Sequence, residues 1–185
     1  MDEAEFRCGI RDRLAPAWER LERLYGHTLR RQASLILPAG MDPDNAVGDV
    51  WVRALDAART YDPALSPFPW LARICTTTCF NQRRGRFRLY RAFRRIPPPP
   101  PRASETAGRA ARTALRAALQ SLPRRECEVV TLRFLFEVSV AEIAELLGLK
   151  PNSVNQTLLR GLAHLRTSEM APQLQDLMSE LERRP

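Results

Sequence analysis

The sequence predicts an all-α protein of two small helical domains joined by a proline- and arginine-rich linker. Three observations carry that expectation. Apolar residues recur at helical spacing along the chain, and no stretch alternates as a half-buried strand would. Five consecutive prolines, Pro97 to Pro101, interrupt the pattern, and proline has no amide to give and favours an extended path. Beyond them, Leu122 to Arg166 parses as a helix-turn-helix.

The first helix is expected from Trp18 to Leu37, with Trp18, Leu21, Tyr25, Leu29 and Ala33 on one face. Pro38, Ala39 and Gly40 end it. Asp42, Pro43 and Asp44 then read as an N-cap, a proline at the first helical position, and an acid favourable to the helix dipole. The second helix, Asp42 to Ala58, should bury Ala46, Val47, Val50, Trp51, Ala54 and Leu55 and expose Asn45, Asp49, Arg53 and Asp56. A proline-rich loop, Thr60 to Pro69, leads to a third helix from Trp70, with Trp70, Leu71, Ile74 and Thr78 inward. Helical periodicity resumes from Ala110 to Leu122.

In the helix-turn-helix, Ser139 and Glu142 form a capping box, each satisfying a free amide at the helix start. Gly148 stands where the helix must stop, and glycine takes a left-handed turn at no steric cost. Pro151 opens the next helix, where its missing amide costs nothing. Val154, Leu158, Leu162 and Leu165 form the buried stripe of that helix. Ser153, Asn155, Gln156 and Arg160 then point outward. After Met170 a short amphipathic helix should carry Leu174, Leu177 and Leu181 on one side. The expected domains are 14–90 and 112–170, with a linker at 91–111 and a tail at 171–185.

Composition narrows the function. The chain has 185 residues, a normal hydrophobic share of 44% and no apolar run that could span a bilayer. Met1 to Glu5 is acidic and no apolar core follows, so a cytoplasmic protein without membrane insertion is expected. The net charge is +8, and it is unevenly placed. No acidic residue lies between Asp62 and Glu105, an interval holding nine arginines from Arg73 to Arg102. Such a block suits a polyanionic partner. Lys150 is the only lysine; arginine forks suit phosphates, and a GC-rich genome would give the same bias. Cys8, Cys75, Cys79 and Cys127 should be reduced thiols. Cys75 and Cys79 share a helix face, where packing is the commoner use and half a metal or redox site the alternative. There is no Gly-rich phosphate loop, no complete metal-ligand set and no nucleophile–base pair, so neither catalysis nor a cofactor is expected.

The motifs resemble those of the extracytoplasmic-function sigma factors of bacterial RNA polymerase, in the sigma-70 family. LPRRECEVVTLRF is similar to the family's LPxxxREVxxLRx, SVAEIAELLG to its SxxEIAexLG, and SVNQTLLRGLAHLR to its TVxxRLxRaxxxLR. More loosely, DPDNAVGDVWVRAL resembles D-A-E-D-x-x-Q-E-x-F-x-x-A, and YDPALSPFPWLARI resembles F-D-P-x-x-x-x-F-x-x-W-L-x-x-I. Together these stretches cover about Trp18 to Arg166, and the ordered pair across a linker is the specific signal.

The resemblance implies a sigma factor that binds core polymerase and directs initiation at a regulated gene set. The Asp42–Ala58 helix would dock on the β′ clamp helices through Asn45, Asp49 and Arg53, and the family commonly has glutamine where this chain has Gly48. Leu65, Ser66 and Phe68 would form a pocket for an unstacked base of the −10 element, since capturing that base offsets the cost of unpairing it. Thr77, Asn81, Arg83 and Arg84 would meet the duplex edge and phosphates. Trp70 is expected to pack in the core. Asn155 and Gln156 would read the −35 element, because a bidentate amide matches adenine in the major groove. Lys150, Ser153 and Arg160 would position the helix on the backbone. Leu132, Phe134, Leu135 and Phe136 lie where the family grips the β flap tip. An anti-sigma factor is the further partner implied. The alternatives are a stand-alone helix-turn-helix regulator and a sigma mimic that sequesters an anti-sigma factor.

Overall fold

A computed structural model describes residues 2–92 and 107–167. Among these, eight helices follow one another without a strand. They are α1 (Glu3–Arg11), α2 (Ala15–Ile36), α3 (Pro43–Ala57), α4 (Pro67–Ala92), α5 (Ala107–Ser121), α6 (Arg124–Val130), α7 (Val140–Leu147) and α8 (Pro151–Thr167). A 3-10 turn, Ala58–Thr60, follows α3, and a π-helical turn, Thr131–Leu135, follows α6. The all-α expectation holds. None of the described helices is long and apolar enough to cross a membrane. The expected tail helix and most of the proline-rich linker lie outside the described residues.

Local chemistry sets the helix ends. Asp42 caps α3 by accepting from the Asp44 amide at 2.9 Å, with Pro43 at the first helical position. Both halves of the Ser139–Glu142 capping box form, at 3.2 and 3.0 Å. Gly148 takes the left-handed conformation with φ +63°. The Leu149 amide then donates to the Ala144 carbonyl at 2.8 Å and the Gly148 amide to Glu145 at 3.2 Å, which turns the chain sharply into α8.

α1 lies before the expected first helix and carries its own capping box, Asp2 with Glu5. It buries Phe6 and Ile10, and its Arg7 donates to the Ala64 carbonyl at 3.3 Å, bracing the loop before α4. α2, α3 and α4 pack on one another, and Trp18 of α2 meets Trp51 of α3 edge-on at 6.5 Å. α4 begins at Pro67, three residues earlier than expected, so Phe68 and Pro69 belong to a helix rather than to the loop. Proline suits that first turn because its missing amide would be unpaired there anyway.

α4 is the central helix. Leu71, Ala72, Cys75, Thr76, Thr78, Cys79 and Phe80 are all buried, so little of its middle faces water. A helix covered on most sides needs neighbours on most sides. α2 and α3 supply one part, and α6 and α7 the other. Buried residues of both halves join one hydrophobic cluster, from Phe6 to Leu165. Leu55, expected inward, is instead exposed at 42%, because Val47, Val50 and Ala54 already face α2 and α4.

Gly161 lets α8 lie close on α6: a Cβ there would come within 2.8 Å of the Val130 side chain. Gly48 has no such role, since nothing lies within 4 Å of an added Cβ. It sits in the interior of α3 on the solvent side. Gly48→Ala therefore raises stability by up to about 1 kcal/mol, through helix propensity alone. Thermal denaturation checks this, and a lowered midpoint would contradict it.

Candidate nucleic-acid interface

The capping box, the Gly148 turn and Pro151 present α8 as the second helix of a helix-turn-helix. Val154, Leu158 and Leu165 anchor it to the core, and Leu162 is half-buried. Of the four residues expected outward, Asn155, Gln156 and Arg160 are exposed and Ser153 is not fully so; Lys150 is exposed as well. Ser153 is half-buried, and its carbonyl accepts from the buried Thr157 hydroxyl at 2.8 Å. Thr157 thus faces inward. Arg160 folds back on its own helix, donating to the Gln156 carbonyl at 3.3 Å. Leu159 was not anticipated. It is 68% exposed on the same outer side as Asn155 and Gln156, at helical spacing from both.

The N-terminal half presents a second surface around α4. Leu65, Ser66 and Thr77 line a cleft of about 640 Å³, with Arg53, Tyr61, Trp70, Arg73, Glu142 and Glu145 also in its wall. Its loop is tightly pinned. The Tyr61 hydroxyl donates to the Leu65 carbonyl at 2.6 Å, and Asp62 accepts from the Ala64 amide at 2.9 Å. Burial pushes the Tyr61 phenol up to about 12. Trp70 packs on the Tyr61 ring at 5.2 Å and is only 8% exposed, as expected of a core residue.

Phe68, expected in a pocket with Leu65 and Ser66, does not line that cleft. It is half-buried between Tyr25 at 5.2 Å and Phe136 at 4.7 Å. Its place in the first turn of α4 turns it toward α2 and away from the loop. Thr77 accepts from Arg124 at 2.9 Å. Arg83 lies over the Phe80 ring at 4.5 Å and donates to the Gln120 carbonyl at 2.8 Å. Asn81 and Arg84 are exposed. One further cation on α4, counted in the arginine block but not among the expected −10 residues, stands beside them. Arg73 donates to the Leu146 carbonyl at 2.6 Å and faces Glu128 at 3.7 Å. Its place one turn before Thr77 was the signal.

On α3, Asn45, Asp49 and Arg53 are exposed, with Asp49 accepting from Gln82 of α4 at 2.8 Å. Between them runs a strip the sequence reading missed: Gly48, Val52 at 62% exposure and Leu55. These fall at i, i+4 and i+7, one face of a helix. Leu132 is buried, and Phe134, Leu135 and Phe136 pack partly into the core.

Three of the four cysteines read as packing, and Cys8 is exposed. Cys75, Cys79 and Cys127 are buried. A hydrogen bond with Cys79, and then burial, hold the Cys75 thiol well above its ordinary range. Burial pushes Cys127 up to about 12. Such thiols are poor nucleophiles and poor ligands. Among the described residues no three His, Cys, Asp or Glu side chains gather as a metal site.

The fold and the exposed amide face define a helix-turn-helix protein with a second helical module. Residues 112–165 match the sigma-70 region 4 family. Over 157 residues the chain is 29% identical to the ECF RNA polymerase sigma factor SigE of Mycolicibacterium smegmatis. The match takes in 82% of this chain and 61% of that protein's length. Two solved structures share the fold. One is CnrH in complex with the cytosolic domain of CnrY, with a TM-score of 0.61 and 24% identity over 88% of this chain and 94% of that one. The other is the sigma factor RpoE with the anti-sigma factor NepR from Bartonella quintana, with a TM-score of 0.60 and 16% identity over 80% and 94%. Residues 112–165 are thus similar to a sigma-70 region 4 domain, and the chain as a whole resembles the extracytoplasmic-function sigma factors of the sigma-70 family.

Proposed function

We propose that this protein is a sigma factor that binds core RNA polymerase and directs promoter-specific initiation at a regulated set of genes. The observation that carries the reading is a juxtaposition. A region 4 helix-turn-helix with outward Asn155 and Gln156 shares a chain with an α3 that leaves Val52 and Leu55 bare among charges. The first surface suits duplex DNA, and the second calls for a protein partner as well. An exposed apolar strip rimmed by polar residues marks a protein-binding site.

In this reading α3 docks on the polymerase clamp, with Val52 and Leu55 as anchors and Asn45, Asp49 and Arg53 as the polar rim. Leu65, Ser66, Thr77, Asn81, Arg83 and Arg84 serve the −10 element. Asn155 and Gln156 read the −35 element, Leu159 meets a thymine methyl, and Lys150, Ser153 and Arg160 grip the backbone. The working units are residues 14–90 and 112–170, and the protein acts in the cytoplasm. An anti-sigma factor is the expected regulator, as in the RpoE–NepR complex.

Glutamate at both Val52 and Leu55 weakens core binding at least about 30-fold, the scale of losing a hot spot. The double variant should keep its helical spectrum, since both side chains are exposed. Titration of labelled core enzyme reads the effect. Unchanged affinity would remove α3 as the docking surface.

A further inference from the structure

We infer that the cleft walled by the loop before α4, by α4 and by α7 binds a small zwitterion: a free α-amino acid whose apolar side chain ends in a polar tip. The cleft holds about 640 Å³. Small-molecule sites ordinarily hold about 300–1,000 Å³. One side of α4 contributes Trp70, Ile74, Thr77 and Thr78, which recur at i, i+4, i+7 and i+8. Leu146 of α7 adds further apolar surface.

Three groups in this wall have no partner among the described residues. The first is deep. Thr78 is fully buried, and its hydroxyl makes no hydrogen bond. A helical threonine can settle its hydroxyl on a carbonyl one turn back, as Thr76 does on Ala72 at 3.1 Å. Thr78 does not, and a buried hydroxyl left unpaired is unfavourable until something meets it. The other two lie at the rim. Arg53 of α3 and Glu145 of α7 are exposed, and neither side chain makes a hydrogen bond or ion pair with another described residue. The remaining charges of the wall are engaged. Arg73 is held by the Leu146 carbonyl at 2.6 Å and Glu128 at 3.7 Å, Glu142 by the Ser139 amide at 3.0 Å, and Asp62 by the Ala64 amide at 2.9 Å.

These groups specify a ligand. The planar guanidinium of Arg53 suits a carboxylate, which it can hold through two parallel bonds. Glu145 suits an ammonium. Trp70, Ile74 and Leu146 take an apolar or aromatic body. Thr78 takes a hydroxyl or ring N–H at the far end of that body. A free aromatic α-amino acid carries all four features. A simple cation or anion meets one rim charge and leaves the other open, and a plain hydrocarbon leaves Thr78 unpaired. None of these contacts depends on the assignment of the −10 or −35 surfaces.

Calorimetric titration of the full chain with L-tryptophan tests the site. The expected Kd is about 1 mM or tighter, the range reached by a ligand of this size at ordinary efficiency. Tryptamine lacks the carboxylate, indolepropionate the ammonium and L-phenylalanine the polar tip. Each should bind at least about fivefold more weakly, the scale of one lost hydrogen bond. Glu145→Gln, at an exposed position, should weaken L-tryptophan by about tenfold and leave indolepropionate unchanged. Thr78→Val removes a hydroxyl that has no partner, so the fold should tolerate it. It should weaken L-tryptophan and leave L-phenylalanine unchanged, and circular dichroism checks that both variants are folded. No saturable binding of L-tryptophan below about 10 mM would overturn the site. Equal affinity for all four ligands, or a Glu145→Gln variant that loses L-tryptophan and indolepropionate alike, would overturn the zwitterion and leave only an apolar surface.

Discussion

Alanine at both Asn155 and Gln156 abolishes discrimination at the −35 element, by at least about 30-fold, because each bidentate amide–adenine pair supplies roughly 1–3 kcal/mol. The structure supports a clean test. Both side chains are exposed on α8, and neither belongs to the stripe of Val154, Leu158 and Leu165 that holds the helix down. The fold and core binding should therefore survive. Selection from a randomised duplex pool reads the outcome: wild type enriches a defined A-containing element and the double variant does not. If the variant enriched the same element and lost affinity equally for every sequence, the amides would be grips and not readers.

Leu71→Ala has the largest expected effect on stability. Leu71 is fully buried in α4, the helix that touches α2, α3, α6 and α7. Removing a buried leucine side chain costs about 2–5 kcal/mol, and a domain's whole stability is roughly 5–15 kcal/mol. Chemical denaturation followed by circular dichroism checks it. A loss below about 0.5 kcal/mol, the scale of an ordinary surface change, would place Leu71 outside the core that orients α4.

What the sequence made legible is local. Asp42 and Pro43, the Ser139–Glu142 box, Gly148 and Pro151 all act within a few residues, so their meaning survives without the fold. The same rule applied to Asp2 and Glu5 would have found α1, whose capping box sits in plain view. The face of α8 was readable because its buried stripe is strongly apolar. α4 was harder, because its buried positions include Cys75, Thr76, Thr78 and Cys79, which carry weak or mixed polarity. On α3 the pattern misled in one place. Leu55 reads as core by type, yet the faces toward α2 and α4 are already filled, and it joins Val52 outside.

The rest was not legible because it depends on contacts between distant segments. Nothing near Thr77 announces Arg124, and nothing near Phe68 announces Phe136. Arg73 and Glu128 are each ordinary in sequence; only the fold brings them together with Glu128 1% exposed. Burial pushes the Glu128 carboxyl up, and Arg125 and then Arg73 pull against it. That balance belongs to tertiary structure and has no trace in the local pattern. The sequence names candidates for the −10 surface one residue at a time, but not their contacts with the other half of the chain.

The most direct measurement is run-off transcription with purified core polymerase on a library of promoter fragments, with and without this protein. Transcripts from defined start sites only when the protein is present, lost on the Val52→Glu, Leu55→Glu variant, are the expected result. No protein-dependent transcripts, together with no binding of the folded chain to core enzyme, would contradict it.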